Sequence, residues 1–145
     1  MHKLLFFILL IIVAGSSQAQ PQTENKELKA IDSLHNSTAV DYLEQWLAGD
    51  KQGSLYNKVL VFSNPDCHHC DDVKKVLNES HIVFVEFDLR DMRLVGLLHN
   101  MVVRKEKSDK VAYGFPIVLY RDDMWYSIRD LTVFRQELMT RLGGN

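Results

Sequence analysis

Cys67 and Cys70 are the only cysteines in a chain of 145 residues, and two residues separate them. Two thiols at this spacing can serve each other in three ways: as a redox pair, as a structural staple, or as half of a metal site. Residues three apart on a helix point the same way, so the pair can reach disulfide geometry if a helix begins there. A cysteine at such a helix start also faces unpaired backbone N–H groups and the positive end of the helix dipole, which favours its thiolate. Cys67 is therefore the candidate nucleophile. Cys70, one turn further in and on the side of Val73 and Leu77, is the candidate resolving thiol that would release a mixed disulfide.

The neighbours of the pair act in opposite directions. His68 and His69 can stabilise the Cys67 thiolate by charge or hydrogen bonding. Asp66, Asp71 and Asp72 favour the helix start but disfavour a nearby thiolate. A zinc site would need two further ligands; His68 and His69 are too close in sequence to complete a tetrahedron with both flanking thiols, and His35, His81 and His99 show no ligand spacing. No metal ligands are therefore assigned. Covalent haem attachment would need a histidine directly after the second cysteine, where Asp71 stands. A staple closing so small a loop would restrict the unfolded chain very little.

The compartment bears on the choice. A short basic start (Lys3), an apolar run over residues 4–14 and small residues at Ser17 and Ala19 make residues 1–19 a predicted signal peptide, too short for a comfortable membrane span. The remainder is then exported, periplasmic or secreted, and leaves the membrane after cleavage. In an oxidising space such a pair is a staple or a redox catalyst. Lys and Arg total 17 against 19 acids, with no clustered basic footprint for nucleic acid. The one basic cluster, residues 104–107, is interrupted by Glu106 and reads as a solvated loop.

Next come the elements that must hold the pair. Residues 20–25 are polar and read as disordered. Leu28, Ile31 and Leu34 predict a weak helix. Ser37 or Thr38 can cap a second one carrying Ala39, Leu43, Trp46 and Leu47 on one face. Residues 48–54 are a loop by composition, which places an N-terminal helical extension at 20–54 and the main domain at 55–145. In that domain, residues 59–62 read as a buried strand, with a polar turn over 63–66 and a helix from Cys67 to about Ser80. Residues 82–88 read as a second strand covered on both faces, and the helix between the two makes them parallel. Asp91 caps a third helix with Met92, Val95, Leu98 and Val102 on one stripe and Leu94, Leu97 and Met101 widening it, where His99 is read as partly exposed. Residues 114–120 form a third strand opened by Pro116, residues 124–128 an antiparallel fourth, and a last helix starts at Asp130 or Thr132 and stops at Gly143-Gly144. The order predicts an α/β domain of three layers: a four-stranded mixed sheet in the order β-α-β-α-β-β-α, with helices on both faces and further N-terminal helices.

A strand leading into Cys-x-x-Cys at a helix start, with a later proline opening a strand, resembles the thioredoxin superfamily over about residues 55–142. The resemblance implies that Pro116 is cis and faces the cysteines, and that Phe115 offers its backbone to a bound substrate chain. The minimal element order is similar to glutaredoxins, with Cys-His-His-Cys in place of their Cys-Pro-Tyr-Cys. Their Gly-Gly pair after the last strand gives way to Trp125-Tyr126-Ser127, so glutathione lacks a familiar anchor here. Thioredoxins place a buried Asp where this chain has Val61, so that acid is absent or replaced from elsewhere. His69 matches a histidine that secreted disulfide oxidases of the superfamily often carry, although their large helical insertion has no room here. The resemblance thus implies an exported thiol–disulfide oxidoreductase, acting as a monomer on protein thiols and disulfides with a redox partner of its own and no cofactor beyond the Cys67–Cys70 pair. Two alternatives use the same residues. One is a binding module with a static disulfide, recruiting a partner through Trp125-Tyr126 or the N-terminal helices; the other is a metal carrier using Cys67, Cys70 and a histidine.

Overall fold

The computed structural model describes residues 22–144, with side chains from His35 onward. The expected signal peptide and the side chains of Leu28, Ile31 and Leu34 lie outside that range. The elements run α1 (Gln22–Leu47), β1 (Val59–Ser63), α2 (His68–Glu79), β2 (Phe84–Asp88), α3 (Met92–Glu106), β3 (Ile117–Tyr120), β4 (Asp123–Trp125) and α4 (Leu131–Gly143). The four strands form one mixed sheet in the order β2-β1-β3-β4. β1 and β2 are parallel, while β3 pairs antiparallel with both β1 and β4. The predicted α/β class, element order and three-layer arrangement are all present.

Strand alternation divides the core in two. Leu60, Phe62, Phe87, Ile117, Leu119 and Met124 point to one face and pack with α1 and α3. Val59, Val61, Val118 and Tyr120 point to the other and meet Val73 and Leu77 of α2 and Phe134 and Leu138 of α4. β1 is buried at all five positions because it is central and covered on both sides. This sandwich holds the C-terminal end of β1, and with it the start of α2, in a fixed place.

Several expectations need correction. The two N-terminal helices are one, α1, running without a break through Ser37 and Thr38, and it already includes residues 22–25. Neither residue caps a helix. Weak propensity at Asn36, Ser37 and Thr38 is outweighed by burial of Ala39, Val40, Tyr42 and Leu43 against the sheet layer, as tertiary packing commonly does. β2 begins at Phe84, leaving Val83 outside the ladder and 89% exposed. It is an edge strand, and Phe87 is its one buried residue. Its outer carbonyls are partly covered by α1: His35 Nε2 lies 2.9 Å from the Glu86 oxygen, and Asn36 Nδ2 donates to that of Asp88 at 3.3 Å. Met92 stands at the first position of α3 and is 72% exposed, so the buried stripe is Leu94, Leu98, Met101 and Val102. Residues 104–106 are the last turn of α3 rather than a loop. Arg104 and Lys105 donate there to the carbonyls of Leu47 and Met124, and Lys107 ends the helix in the left-handed region. β4 is shorter than expected, since the chain leaves the ladder after Trp125.

Asp91 does cap α3, accepting from Arg93 N–H at 3.1 Å and from its guanidinium at 2.7 Å. The Arg93 side chain holds the Asp91 carboxyl below its ordinary value, against a smaller opposing effect of burial. Asp91→Ala is expected to cost about 1 kcal/mol near neutral pH. A depressed folded pKa means that this stability is complete above the unfolded value of about 3.9. It is lost as pH falls through the lower folded value. Denaturant titrations of both proteins should therefore converge in acid; an undiminished difference at about pH 2 would refute the assignment.

Candidate functional site: the Cys67–Cys70 pair

The site is built where β1 hands over to α2. After Ser63 the chain turns through residues 64–66, and Cys67 N–H bonds to the Pro65 carbonyl at 2.9 Å. Cys67 is extended at φ −110° and is the N-cap of α2. Its Sγ accepts from Cys70 N–H at 3.2 Å, and its carbonyl accepts from Cys70 and Asp71. The sulfur thus takes the place a serine or aspartate oxygen holds at other helix starts. The two cysteines form a disulfide with 2.17 Å between the sulfurs and 5.2 Å between the Cα atoms. Cys67 is half-buried and Cys70 fully buried, so the first cysteine is the more exposed of the two.

The flanking groups are arranged unequally. His68 is exposed. His69 is half-buried and its Nε2 hydrogen-bonds the carbonyl of Ile128 in the loop between β4 and α4. That carbonyl can only accept, so Nε2 carries the proton and only Nδ1 is left to interact elsewhere. Asp66, Asp71 and Asp72 are all exposed, and Asp71 pairs with Lys74 at 3.1 Å. Water and the lysine screen these carboxylates, which weakens their opposition to a thiolate at the helix start.

Phe115 and Pro116 reach the same end of the sheet by register. Ile117 pairs with Phe62, so the residues before Ile117 lie beside the end of β1 from which the chain proceeds to Cys67. The Phe115–Pro116 peptide bond is cis and Pro116 is buried, while Phe115 is half-buried. Gly114 just before them is held on both sides: its carbonyl accepts from Ser127 N–H at 3.1 Å, and its N–H donates to Ser127 Oγ at 2.8 Å. The Ser127 backbone is left-handed (φ 51°), which turns the chain out of β4 and toward Gly114. Tyr113 makes edge contacts with Phe115 and Tyr126 at centroid distances of 5.8 and 6.3 Å, and His99 lies 6.0 Å away on α3. Lys105 sits over the Tyr126 ring, and the Tyr126 hydroxyl bonds Glu106. An aromatic wall therefore stands beside the Phe115–Pro116 edge.

Sequence reasoning missed a second polar group at this end of the sheet. Ser63 is the one buried polar residue among the described residues, and its hydroxyl bonds Glu86 of β2. Glu86 also accepts from Lys74 of α2 at 2.9 Å. The available signal was the single acid inside the apolar run 82–87, which pairs in register with Val61. Among the described residues, no group of three or more His, Cys, Asp or Glu is placed to hold a metal ion, and no helix is long and apolar enough to cross a membrane.

No protein-family model matches this chain, and no curated protein matches it. Among solved structures it is similar to the crystal structure of a variant of the thioredoxin-like protein BC3987, at 22% identity and a TM-score of 0.41. The match covers 56% of this chain and 99% of that one. The fold of this chain is defined by its own strand order and register, and its chemistry by its own side chains.

Proposed function

We propose that this chain is an exported thiol–disulfide oxidoreductase that exchanges disulfides with protein substrates through Cys67 and Cys70. The observation that carries this reading is the asymmetric disulfide at the start of α2, with a half-buried cysteine at the N-cap and a fully buried partner one turn in. Once reduced, Cys67 faces free helix N–H groups that favour its thiolate. It attacks an exposed substrate disulfide, and Cys70 then displaces the substrate from Cys67. The half-exposed Phe115 next to buried Pro116 is the edge on which a substrate chain would dock, flanked by Tyr113 and Tyr126. His69 would act on the thiolate through Nδ1, because its Nε2 serves Ile128. His68, exposed at the surface, would act on it from the solvent side. Export follows from the leader pattern of residues 1–19. The working form would be a monomer in the periplasm or outside the cell, recharged by a separate redox partner.

The equilibrium between dithiol and disulfide in defined redox buffers tests the reading. A turnover enzyme is expected to titrate within about −120 to −270 mV, the span of known catalytic pairs. A pair that stays oxidised to below about −300 mV would be a static staple, and the chain a binding module instead.

A further inference from the structure

We propose that Ser127 is a positioning residue for substrate chains: it clamps Gly114 and so sets the Phe115–Pro116 edge in place beside the cysteine pair. The inference rests on the thiol–disulfide reading above and concerns its docking step. Gly114 stands directly before that edge, and a residue without a side chain does little to restrict its own backbone. Both of its peptide groups are taken by one partner. The Gly114 carbonyl accepts from Ser127 N–H at 3.1 Å, and the Gly114 N–H donates to Ser127 Oγ at 2.8 Å. Steric need does not explain the glycine. It lies outside the left-handed region, and a Cβ there would stand 3.8 Å from Ser127 Cα and Oγ, an ordinary contact. The restraint on Gly114 therefore comes from these two hydrogen bonds rather than from packing.

What holds Ser127 itself is a change of face. Residues two apart in a regular strand lie on the same side of the sheet. Tyr126 and Ile128 do not: Tyr126 packs with the layer of α1 and α3, and Ile128 is buried in the layer of α2 and α4. The left-handed backbone of Ser127, at φ 51°, makes that crossing. Each of its neighbours is tied to a different helix. Lys105 of α3 lies 5.5 Å from the centre of the Tyr126 ring, and Glu106 accepts from the Tyr126 hydroxyl. On the other side the Ile128 carbonyl accepts from His69 of α2, the residue just before Cys70.

The peptide unit joining Ser127 to Ile128 is planar and stiff. Ser127 on one side of it holds the docking edge, and Ile128 on the other holds the cysteine helix. The edge and the redox pair are thus referenced to one short segment, although they come from different parts of the chain. Removal of the Ser127 hydroxyl leaves that segment anchored at Tyr126 and Ile128 but releases Gly114 N–H. A peptide that must lie along Phe115 to present its disulfide to Cys67 depends on the clamp, because a misplacement of about 1 Å can slow a reaction by about a hundredfold. A small disulfide that reaches Cys67 without lying along the edge does not depend on it. Ser127 therefore separates chain substrates from small ones.

The test follows exchange of the full chain with a disulfide-linked model peptide and with bis(2-hydroxyethyl) disulfide. Ser127→Ala and Ser127→Gly are expected to lower the ratio of kcat/KM for the peptide to that for the small disulfide at least about fivefold, with the loss carried by KM for the peptide. Glycine reaches the left-handed region without strain, so a fall in both variants assigns the effect to the hydroxyl rather than to the backbone at that position. Gly114→Ala restricts the released backbone by other means, and added to Ser127→Ala it should return at least about half of the lost ratio. A ratio within about twofold of wild type in either Ser127 variant, equal losses toward both disulfides, or no return with Gly114→Ala overturns the proposal. A wild type that exchanges with neither disulfide refutes the thiol–disulfide reading and takes this proposal with it, an outcome distinct from the other three.

Discussion

Cys67→Ser is expected to lower disulfide exchange with a model peptide by at least about two orders of magnitude, while the domain stays folded. The two halves of this expectation have separate physical origins. A serine hydroxyl remains protonated at neutral pH and cannot form the mixed disulfide, so the reaction loses its first covalent step. Yet serine is a preferred helix N-cap, and its oxygen can accept the Cys70 N–H bond that Cys67 Sγ accepts now. The remaining structural cost is loss of a cross-link between residues three apart, about 2 kcal/mol at most in the chain-entropy account. Cys70→Ser should behave differently. Its Cys67 still attacks, but nothing resolves the product, so a mixed disulfide with the peptide accumulates and is visible by mass spectrometry. Equal exchange rates for wild type and Cys67→Ser would sink the enzymatic reading outright. A Cys70→Ser protein that turns over without trapping substrate would show that external thiols, rather than Cys70, complete the reaction.

Much of this arrangement was legible because its determinants are local. Cys67 at a helix start, Asp91 as a cap and Pro116 ahead of a strand depend on a few neighbouring residues, and each stands where the pattern put it. The helix-on-both-faces architecture followed from the apolar period of each segment. What escaped depends on which segments meet. An apolar run cannot say whether it lies at the centre or the edge of a sheet, and so residues 82–83 fell outside β2 and Val83 is exposed. Asn36, Ser37 and Thr38 carry the local signature of a helix start, but burial of Ala39, Tyr42 and Leu43 and the bonds from His35 and Asn36 to β2 favour one continuous helix. The Ser63–Glu86–Lys74 cluster joins three elements, and only register brings its members together. The His69 bond to Ile128 spans 59 positions for the same reason. Side-chain chemistry was readable residue by residue, whereas its partners are properties of the sheet.

Phe62→Ala is expected to be the most damaging single core substitution near the site, at about 3–5 kcal/mol. Phe62 is fully buried, stacks on Phe87 at a centroid distance of 5.2 Å and stands opposite Ile117 in the ladder. It therefore touches both strands that flank β1, at the level where the chain leaves for Cys67 on one side and arrives from Pro116 on the other. Truncation removes the transfer free energy of a benzyl group and leaves a cavity that neighbouring strands, held by their ladder bonds, cannot close. Against a total stability of about 5–15 kcal/mol, this is a large share. For a domain of this size it corresponds to a fall in Tm of roughly 10 °C or more. The loss should appear as a lower denaturant midpoint with an unchanged slope, since the native surface exposed on unfolding barely changes. Val83→Ala supplies the contrast: that side chain is 89% exposed, and its removal should shift stability by no more than about 0.5 kcal/mol. A loss below about 1.5 kcal/mol for Phe62→Ala would mean the site collapses around the smaller side chain. The end of β1 would then be a pliable support for the cysteine pair, rather than the rigid one that an ordered handover from strand to helix requires.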